Sequence, residues 1–168
     1  GGGATGTGTA LDAAKRGLKL FIGKARCDLC HFGANFTNGE FHDIGLPHRP
    51  EPGRVDKGRY GGIQQLRKSR FNLLGPHNDD KLRATAGFTR HVQLTPRNWG
   101  EFRVPSLREV ARTAPYMHDG SKATLEDVVD HYSEIPEDGL HQDGEKLLKP
   151  LNLTDTEKAD LLAFLQTL

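Results

Sequence analysis

The sequence has few of the residues that build and cross-link a compact domain. Only 35% of its 168 residues are hydrophobic and 7% are aromatic, and it contains two cysteines, one methionine and one tryptophan. Two cysteines are too few for a four-cysteine zinc site. No apolar run approaches the length of a membrane span, and a net charge of +1 supplies no broad basic field. We therefore expect no membrane span and no binding to nucleic acid or an anionic membrane.

Both cysteines lie within one pentapeptide, Cys27-x-x-Cys30-His31. This spacing is typical of covalent haem c attachment, in which two thiols form thioethers with the porphyrin and the next histidine binds the iron. The competing interpretations are a redox disulfide, half of a zinc site and a chance pairing of two buried cysteines. The first needs a βαβ context and the second needs further ligands, and the sequence offers neither. We expect one haem c on Cys27 and Cys30, with His31 as the proximal iron ligand.

The start of the chain carries little structural information. Residues 1–10 are rich in glycine and threonine and have no periodicity, so we interpret them as a flexible or uncertain segment. From residue 11 the apolar side chains recur at steps of three and four, which predicts an amphipathic helix over 11–22 that ends just before the haem motif. We expect residues 11–168 to form a single haem domain, in which the buried macrocycle compensates for the small number of core side chains.

Two further helices are predicted by capping boxes near the end of the chain. Thr124 with Asp127 begins one, and Thr154 with Glu157 begins the other. In the first of these helices the apolar positions follow at i, i+3, i+4 and i+7, and Tyr132 occupies the last of them. The periodicity therefore turns Tyr132 toward the buried side.

The rest of the chain is predicted to be mostly irregular, because glycine, proline and asparagine recur through it. A short helix is expected within 63–74, and another begins at Pro105, which suits a first helical position. Trp99 is interpreted as a packing residue rather than an electron relay. The predicted fold class is all-α, with helices joined by long irregular loops around one covalently bound haem c.

The second axial ligand of the iron distinguishes an electron carrier from a catalyst. Met117 is the only methionine, and His/Met ligation is common in small electron-transfer cytochromes. Tyr132 is chemically less usual, and spacing alone does not decide between the two. The remaining histidines are further candidates: His42, His48, His77, His91, His118, His131 and His141.

A set of motifs in family order resembles the C-terminal haem domain of the bacterial di-haem cytochrome c peroxidase and MauG superfamily. The resemblance implies a cytochrome c-like fold and covers most of the chain. Its matching segments are Gly17–Phe21 before the Cys27 motif, Phe41–Pro47, Asp56–Tyr60, Phe102–Arg108, Thr113–Gly120 followed by Thr124–Glu126, and the terminal helix after Leu153.

The resemblance implies particular roles for several residues. In the peroxidases of this superfamily a distal methionine follows the T-L-E motif, whereas a tyrosine takes that place in the MauG-like branch, and the residue here is Tyr132. Tyr132 is therefore expected as the distal iron ligand in preference to Met117. The family also binds calcium partly through backbone carbonyls of a T-x-P turn, which correspond to Thr113 and Pro115.

The sequence contains one Cys-x-x-Cys-His motif and lacks the second, N-terminal haem domain of the superfamily. The resemblance thus implies one haem domain of a peroxide-dependent oxidoreductase that takes electrons from a partner protein, with a second haem domain or chain as its companion. A stand-alone single-haem electron-transfer protein is the alternative. Residues 61–99 form a long segment similar to the MauG-like branch. Since haem c is attached outside the cytoplasm, we expect a periplasmic or otherwise exported protein whose signal has been removed.

Overall fold

The structure is a computed structural model that describes residues 9–46, 55–135 and 148–168. These residues form two compact units. The first contains 9–40, 104–135 and 148–168, and the second contains 41–46 and 55–103. Within the described ranges no helix combines the length and the apolar character needed to cross a membrane.

The described residues are rich in helix, as predicted. Three of the five α-helices belong to the first unit, and the second unit holds the other two and a pair of two-residue strands. In chain order the elements are α1 (Ala10–Ile22), β1 (Phe41–His42), α2 (Arg59–Lys68), α3 (Gly87–His91), β2 (Phe102–Arg103), α4 (Leu125–Glu134) and α5 (Asp155–Leu165).

The predictions of α1, α4 and α5 are confirmed, and the two predicted capping boxes begin α4 and α5. A third capping box begins α1, where Thr9 Oγ1 accepts from the Asp12 amide and the Asp12 carboxylate accepts from the Thr9 amide at 3.0 Å. Thr9 and Ala10 therefore take part in a regular helix start, although the sequence pattern placed them in the glycine-rich segment.

The core of the first unit is formed where α1 packs on α5. Gly17 faces α5 so closely that a Cβ at this position would collide with the backbone carbonyl of Asp160 and the Cβ of Phe164. One turn later, Phe21 meets Phe164 edge to face, with ring centroids 5.2 Å apart. Arg16 closes the edge of the contact through a bidentate ion pair with Asp160, whose Nη2–Oδ1 distance is 2.6 Å.

The same core extends from the α1–α5 contact to α4 and to the segments that lead into these helices. Each fully buried aliphatic or phenyl side chain stabilises the folded state by about 1.5–3 kcal/mol relative to solvent exposure. The cluster comprises Phe21, Ala25, Val110, Leu125, Val129, Leu153, Leu161, Phe164 and Leu165.

The second unit contains a short antiparallel pairing that the all-α expectation did not include. Phe41 pairs with Arg103, and β1 and β2 have no other strand neighbour among the described residues. The Trp99 ring packs 5.4 Å from that of Tyr60, and Lys57 Nζ lies 5.4 Å from the centre of the indole. These contacts agree with the interpretation of Trp99 as a packing residue.

The prediction of a helix that begins at Pro105 is wrong. The chain forms only a 3-10 turn at Val110–Arg112, preceded by Glu109 in the left-handed region at φ 56°. The reason is competition from side chains, because Ser106 Oγ accepts from the Arg108 amide at 3.1 Å and so stabilises a local turn. The short helix expected within 63–74 is present but begins earlier, as α2.

Acid should weaken the capped end of α5. Lys24 Nζ lies 2.7 Å from the Glu157 carboxylate, and this hydrogen bond, with that from the Thr154 amide, holds the carboxyl pKa of Glu157 below its ordinary range. A depressed pKa in the folded state gives stability that is present above the unfolded pKa and is lost as the pH falls through the folded pKa. We expect the free energy of unfolding to fall between roughly pH 5 and pH 3.

Glu157→Gln should make this acid limb of the stability profile shallower, as measured by denaturant unfolding at a series of pH values. Gln still caps the helix, so the helix start is retained. Lys24→Met, which removes the other partner of the ion pair, should also make the acid limb of the stability profile shallower. An acid limb of unchanged steepness in both variants would contradict the assignment.

Candidate functional site

The Cys-x-x-Cys-His pentapeptide forms a tight turn directly after α1. Arg26 takes a left-handed conformation at φ 50°, and Cys27–Leu29 form one 3-10 turn. The amides of Cys30 and His31 both donate to the Cys27 carbonyl, at 3.2 and 2.9 Å. Both thiols and the imidazole are therefore presented by one hydrogen-bonded piece of backbone.

The imidazole of His31 is oriented by the loop that follows it. Its Nδ1 lies 2.9 Å from the Phe36 carbonyl oxygen, which can only accept, so Nδ1 donates and Nε2 keeps its lone pair. Burial lowers the pKa of His31, and the hydrogen bonds to the carbonyls of Phe36 and Pro105 oppose that effect. A neutral imidazole with a fixed Nδ1–H is the form that binds a metal through Nε2.

Residues 104–108 hold the loop at residues 34–36 in place through hydrogen bonds to its backbone. Ser106 Oγ donates to the Asn35 carbonyl at 2.7 Å, and Arg108 Nε donates to the Ala34 carbonyl at 2.8 Å. The Arg108 guanidinium also lies 5.0 Å from the centre of the Phe36 ring. The segment that was expected to be a helix instead holds the carbonyl that orients His31.

Both cysteines are partly buried free thiols. Burial, with a smaller effect from Asp28, raises the pKa of the Cys27 thiol to about 12, and burial also raises the pKa of Cys30. A redox-active pair requires a lowered thiol pKa. This environment therefore disfavours the redox-disulfide interpretation of the motif.

Tyr132 lies on α4 and faces the same region. Loss of solvation, and then the negative charges that Cys27 and Cys30 would carry as thiolates, raise the pKa of the Tyr132 phenol well above its ordinary range. The Tyr132 backbone carbonyl accepts from the Leu151 amide at 3.2 Å, which anchors this end of α4 to the segment before α5. Tyr132 is thus within electrostatic range of the two thiols.

Met117, the alternative ligand, lies in a turn. It adopts φ 69° between Tyr116 and Lys122, which form an isolated antiparallel bridge. Tyr116 itself packs against the core, and its hydroxyl donates to the Val110 carbonyl at 3.0 Å. Met117 is therefore carried by a loop rather than by a helix of the core.

The described histidines are distributed over both units. His131 is next to Tyr132, and their rings meet edge to face at 5.3 Å. His77 stacks on Phe71, and its Nε2 accepts from Arg70 at 3.0 Å. In the second unit, His42 Nε2 is buried without a hydrogen-bond partner among the described atoms. His91 ends α3 and His118 is exposed, whereas His48 and His141 lie outside the described residues.

The predicted calcium ligands, Thr113 and Pro115, are both exposed. Thr113 Oγ1 donates to the Val110 carbonyl at 3.1 Å. No group of three or more His, Cys, Asp or Glu side chains in the described ranges is arranged to hold a metal ion. Calcium at this turn would therefore depend on backbone carbonyls, whose oxygen atoms suit a hard cation.

The arrangement fits a covalently attached haem. Two partly buried thiols and a histidine whose Nδ1 is hydrogen-bonded occupy one turn, and the Tyr132 phenol is within electrostatic range of the thiols. The motif predicted Cys27, Cys30 and His31, and the family resemblance implied Tyr132. Sequence reasoning missed the fastening residues Ser106 and Arg108, although the polar side chains that follow Pro105 could have suggested a turn rather than a helix.

Comparison with known proteins defines the class. The chain matches no family model. It is 38% identical over 167 residues to cytochrome-c peroxidase IdrP1 of Pseudomonas sp. (strain SCT). This alignment covers 98% of the present chain and 42% of IdrP1. Over 155 residues the chain is 35% identical to the methylamine utilization protein MauG of Methylorubrum extorquens, which covers 92% of this chain and 34% of that protein.

The fold supports the same class. The crystal structure of a MauG-like protein associated with microbial copper homeostasis matches with a TM-score of 0.62 and 30% identity, over 93% of this chain and 43% of that chain. The helix-rich fold is consistent with the cytochrome c-like peroxidase fold. The chain belongs to the cytochrome c peroxidase and MauG superfamily. It spans about two fifths of the length of IdrP1 and of the MauG-like structure.

Proposed function

We propose that this chain is a haem c oxidoreductase domain of a di-haem, MauG-like enzyme, and that it transfers electrons between a partner protein and a peroxide-activated haem. The observation that carries the proposal is the single hydrogen-bonded turn that presents Cys27, Cys30 and His31, with Nδ1 of His31 already engaged by the Phe36 carbonyl. Its relatives named cytochrome-c peroxidase and MauG support the same reaction class.

Each residue has a distinct role in this proposal. Cys27 and Cys30 would form the two thioethers to the haem, and His31, through Nε2, and Tyr132 would supply the iron ligands. The haem, when bound, supplies one-electron redox chemistry. The Phe36 carbonyl keeps the proton of His31 on Nδ1, and a histidine ligand held in this way is more basic. Tyr132 would supply a hard anionic oxygen, which stabilises ferric iron more than methionine does.

The proposal needs a second haem domain or chain, in which peroxide is bound, and a redox partner protein. It also places the protein in the periplasm or otherwise outside the cytoplasm, because haem c attachment takes place there. Calcium bound through the Thr113 and Pro115 carbonyls is a further part of the proposal.

A stand-alone single-haem electron-transfer protein is the second candidate function. Such a protein would hold one haem per particle and exchange electrons with its partner without consuming peroxide.

Two measurements separate the candidates. The chain is produced with the haem c maturation system, alone and together with a haem-peroxidase domain taken from a relative. Haem per assembled particle is then counted by the pyridine haemochrome assay, and hydrogen peroxide consumption is followed with a reduced donor. We expect one haem for the chain alone, and two haems with peroxide consumption for the assembly. One haem per particle and no consumption of hydrogen peroxide, both for the chain alone and for the chain produced with the added domain, would favour the electron carrier.

A further inference from the structure

The second unit carries a segment in which positive charge is concentrated. Residues 55–103 contain ten Lys and Arg against four Asp and Glu, whereas the described residues of the first unit contain ten basic and twelve acidic residues. The net charge of +1 therefore conceals a strong local imbalance. Six of the ten cations lie from the last turn of α2 to the end of α3: Arg67, Lys68, Arg70, Lys81, Arg83 and Arg90.

These six cations are not neutralised by acidic neighbours. None of them forms an ion pair with a carboxylate of the described residues. Arg67 instead donates to the Val92 carbonyl at 2.9 Å, and Arg90 donates to the Arg83 carbonyl at 3.4 Å. A carbonyl fixes the direction of a guanidinium but leaves its positive charge uncompensated. The Asp80 carboxylate is already engaged by the amide and hydroxyl of Thr85.

Large apolar side chains are exposed between these cations. Phe88 is 95% exposed, Leu82 90% and Phe71 75%. Leu82 lies directly between Lys81 and Arg83 in the sequence. The segment therefore offers apolar contact area as well as positive charge.

The backbone of this segment is held in place by its own amide side chains. Asn72 Nδ2 donates to the Leu66 carbonyl at 2.7 Å, and Asn78 Nδ2 donates to the Leu73 carbonyl at 2.6 Å. Preorganisation of this kind lowers the entropic cost of binding a partner.

Beside the exposed side chains there is a shallow pocket of about 270 Å³. Its lining combines polar and apolar side chains and includes one of the six cations: Arg67, Ser69, Asn72, Leu74, Gly75 and Thr89. The Arg67 guanidinium at this pocket could pair with a carboxylate of a partner.

We propose that residues 67–90, the basic–apolar segment, are a docking surface for an acidic protein whose carboxylates surround an apolar centre. Arginine and aromatic residues are enriched at protein interfaces and lysine is depleted, and four of the six cations are arginine. The apolar side chains project from loops and a five-residue helix rather than from one amphipathic helix, which favours a protein partner over a membrane surface. The docking surface itself is argued independently of the proposed function. Only the identification of the acidic protein as the redox partner rests on that function.

The test uses the haem-loaded protein and four defined probes in a surface binding assay. The probes are an acidic plant-type ferredoxin, basic mitochondrial cytochrome c, vesicles with 30% phosphatidylglycerol and a 20-base-pair DNA duplex. We expect binding to ferredoxin that weakens steeply with salt, and no comparable binding to the other three. The double variant Lys68→Glu/Arg90→Glu should weaken ferredoxin binding about tenfold or more at low salt.

Two controls separate this surface from total charge and from haem chemistry. Lys15→Glu/Lys149→Glu changes the net charge equally at exposed positions of the first unit and should leave ferredoxin binding within about twofold. Phe88→Ser should weaken binding even at high salt, because it removes apolar contact. Haem content and absorbance should not change in any variant, so failure of docking is distinguishable from failure of the haem proposal.

Absence of ferredoxin binding, or equal losses in the two double variants, would overturn the proposal. Vesicle or duplex binding that is lost in the Lys68→Glu/Arg90→Glu variant would also overturn it and would assign the surface to a membrane or to nucleic acid.

Discussion

Tyr132→Phe is expected to change the ferric absorption spectrum of the haem-loaded protein and to raise its reduction potential. The variant removes the oxygen and keeps the ring, so the packing of α4 is preserved. An anionic oxygen ligand stabilises ferric iron, and its loss should raise the potential by on the order of 0.1 V, a fraction of the range that axial ligands span. Spectroelectrochemical titration measures both effects.

The chain offers a matched control in Tyr116→Phe. Tyr116 is also a partly buried tyrosine beside the core, but its hydroxyl donates to the Val110 carbonyl. This variant should lose about 1 kcal/mol of stability and keep the spectrum. Met117→Leu should likewise keep the spectrum. A Tyr132→Phe protein with an unaltered spectrum, together with a Met117→Leu protein that loses a ligand band, would assign the distal position to Met117.

Gly17→Ala should be the most destabilising of the single-methyl changes in the helices. The added Cβ would meet backbone on α5, at Asp160, and backbone cannot move aside as a flexible side chain does. Overpacking of this kind costs about 3 kcal/mol, and for a chain of this length it should lower Tm by roughly 6–12 °C. Denaturant unfolding of the haem-loaded protein gives the free energy directly.

Gly62→Ala serves as the comparison. Gly62 lies inside α2, and a Cβ there has no neighbouring atom within 4 Å. Alanine should therefore be neutral or stabilising by up to about 1 kcal/mol, because it favours helix and restricts the unfolded chain. Equal losses of unfolding free energy in Gly17→Ala and Gly62→Ala would show that α1 and α5 can move apart enough to accept a methyl group at residue 17.

The helices were predictable because their signals are local. The capping boxes at Thr124 and Thr154 and the period of the apolar residues are contained within a few turns of chain. The same signal at Thr9 was overlooked because glycine and threonine surround it. The helix predicted from Pro105 failed because the competing hydrogen bonds of Ser106 and Arg108 lead to a loop about 70 residues away.

The candidate site likewise contains residues that the sequence predicts and contacts that only the fold creates. Cys27, Cys30 and His31 lie within one pentapeptide, so the motif predicted all three together. Periodicity turned Tyr132 inward, but its expected role as a ligand came from the resemblance to the MauG-like branch. The carbonyl of Phe36 and its fastening by Arg108 depend on tertiary contacts that no spacing encodes. The balanced total charge does not indicate the basic–apolar segment, and the exposure of Phe71, Leu82 and Phe88 beside its cations is a property of the fold rather than of the local sequence.

We propose that this chain carries one covalent haem on Cys27 and Cys30. The intact mass of the purified protein under denaturing conditions, after production with the haem c maturation system, tests this attachment. We expect the mass of the chain plus one haem for the parent protein, and the mass of the chain alone for Cys27→Ala/Cys30→Ala. A parent protein without added mass, or a double variant that still retains the haem covalently, would contradict this proposal.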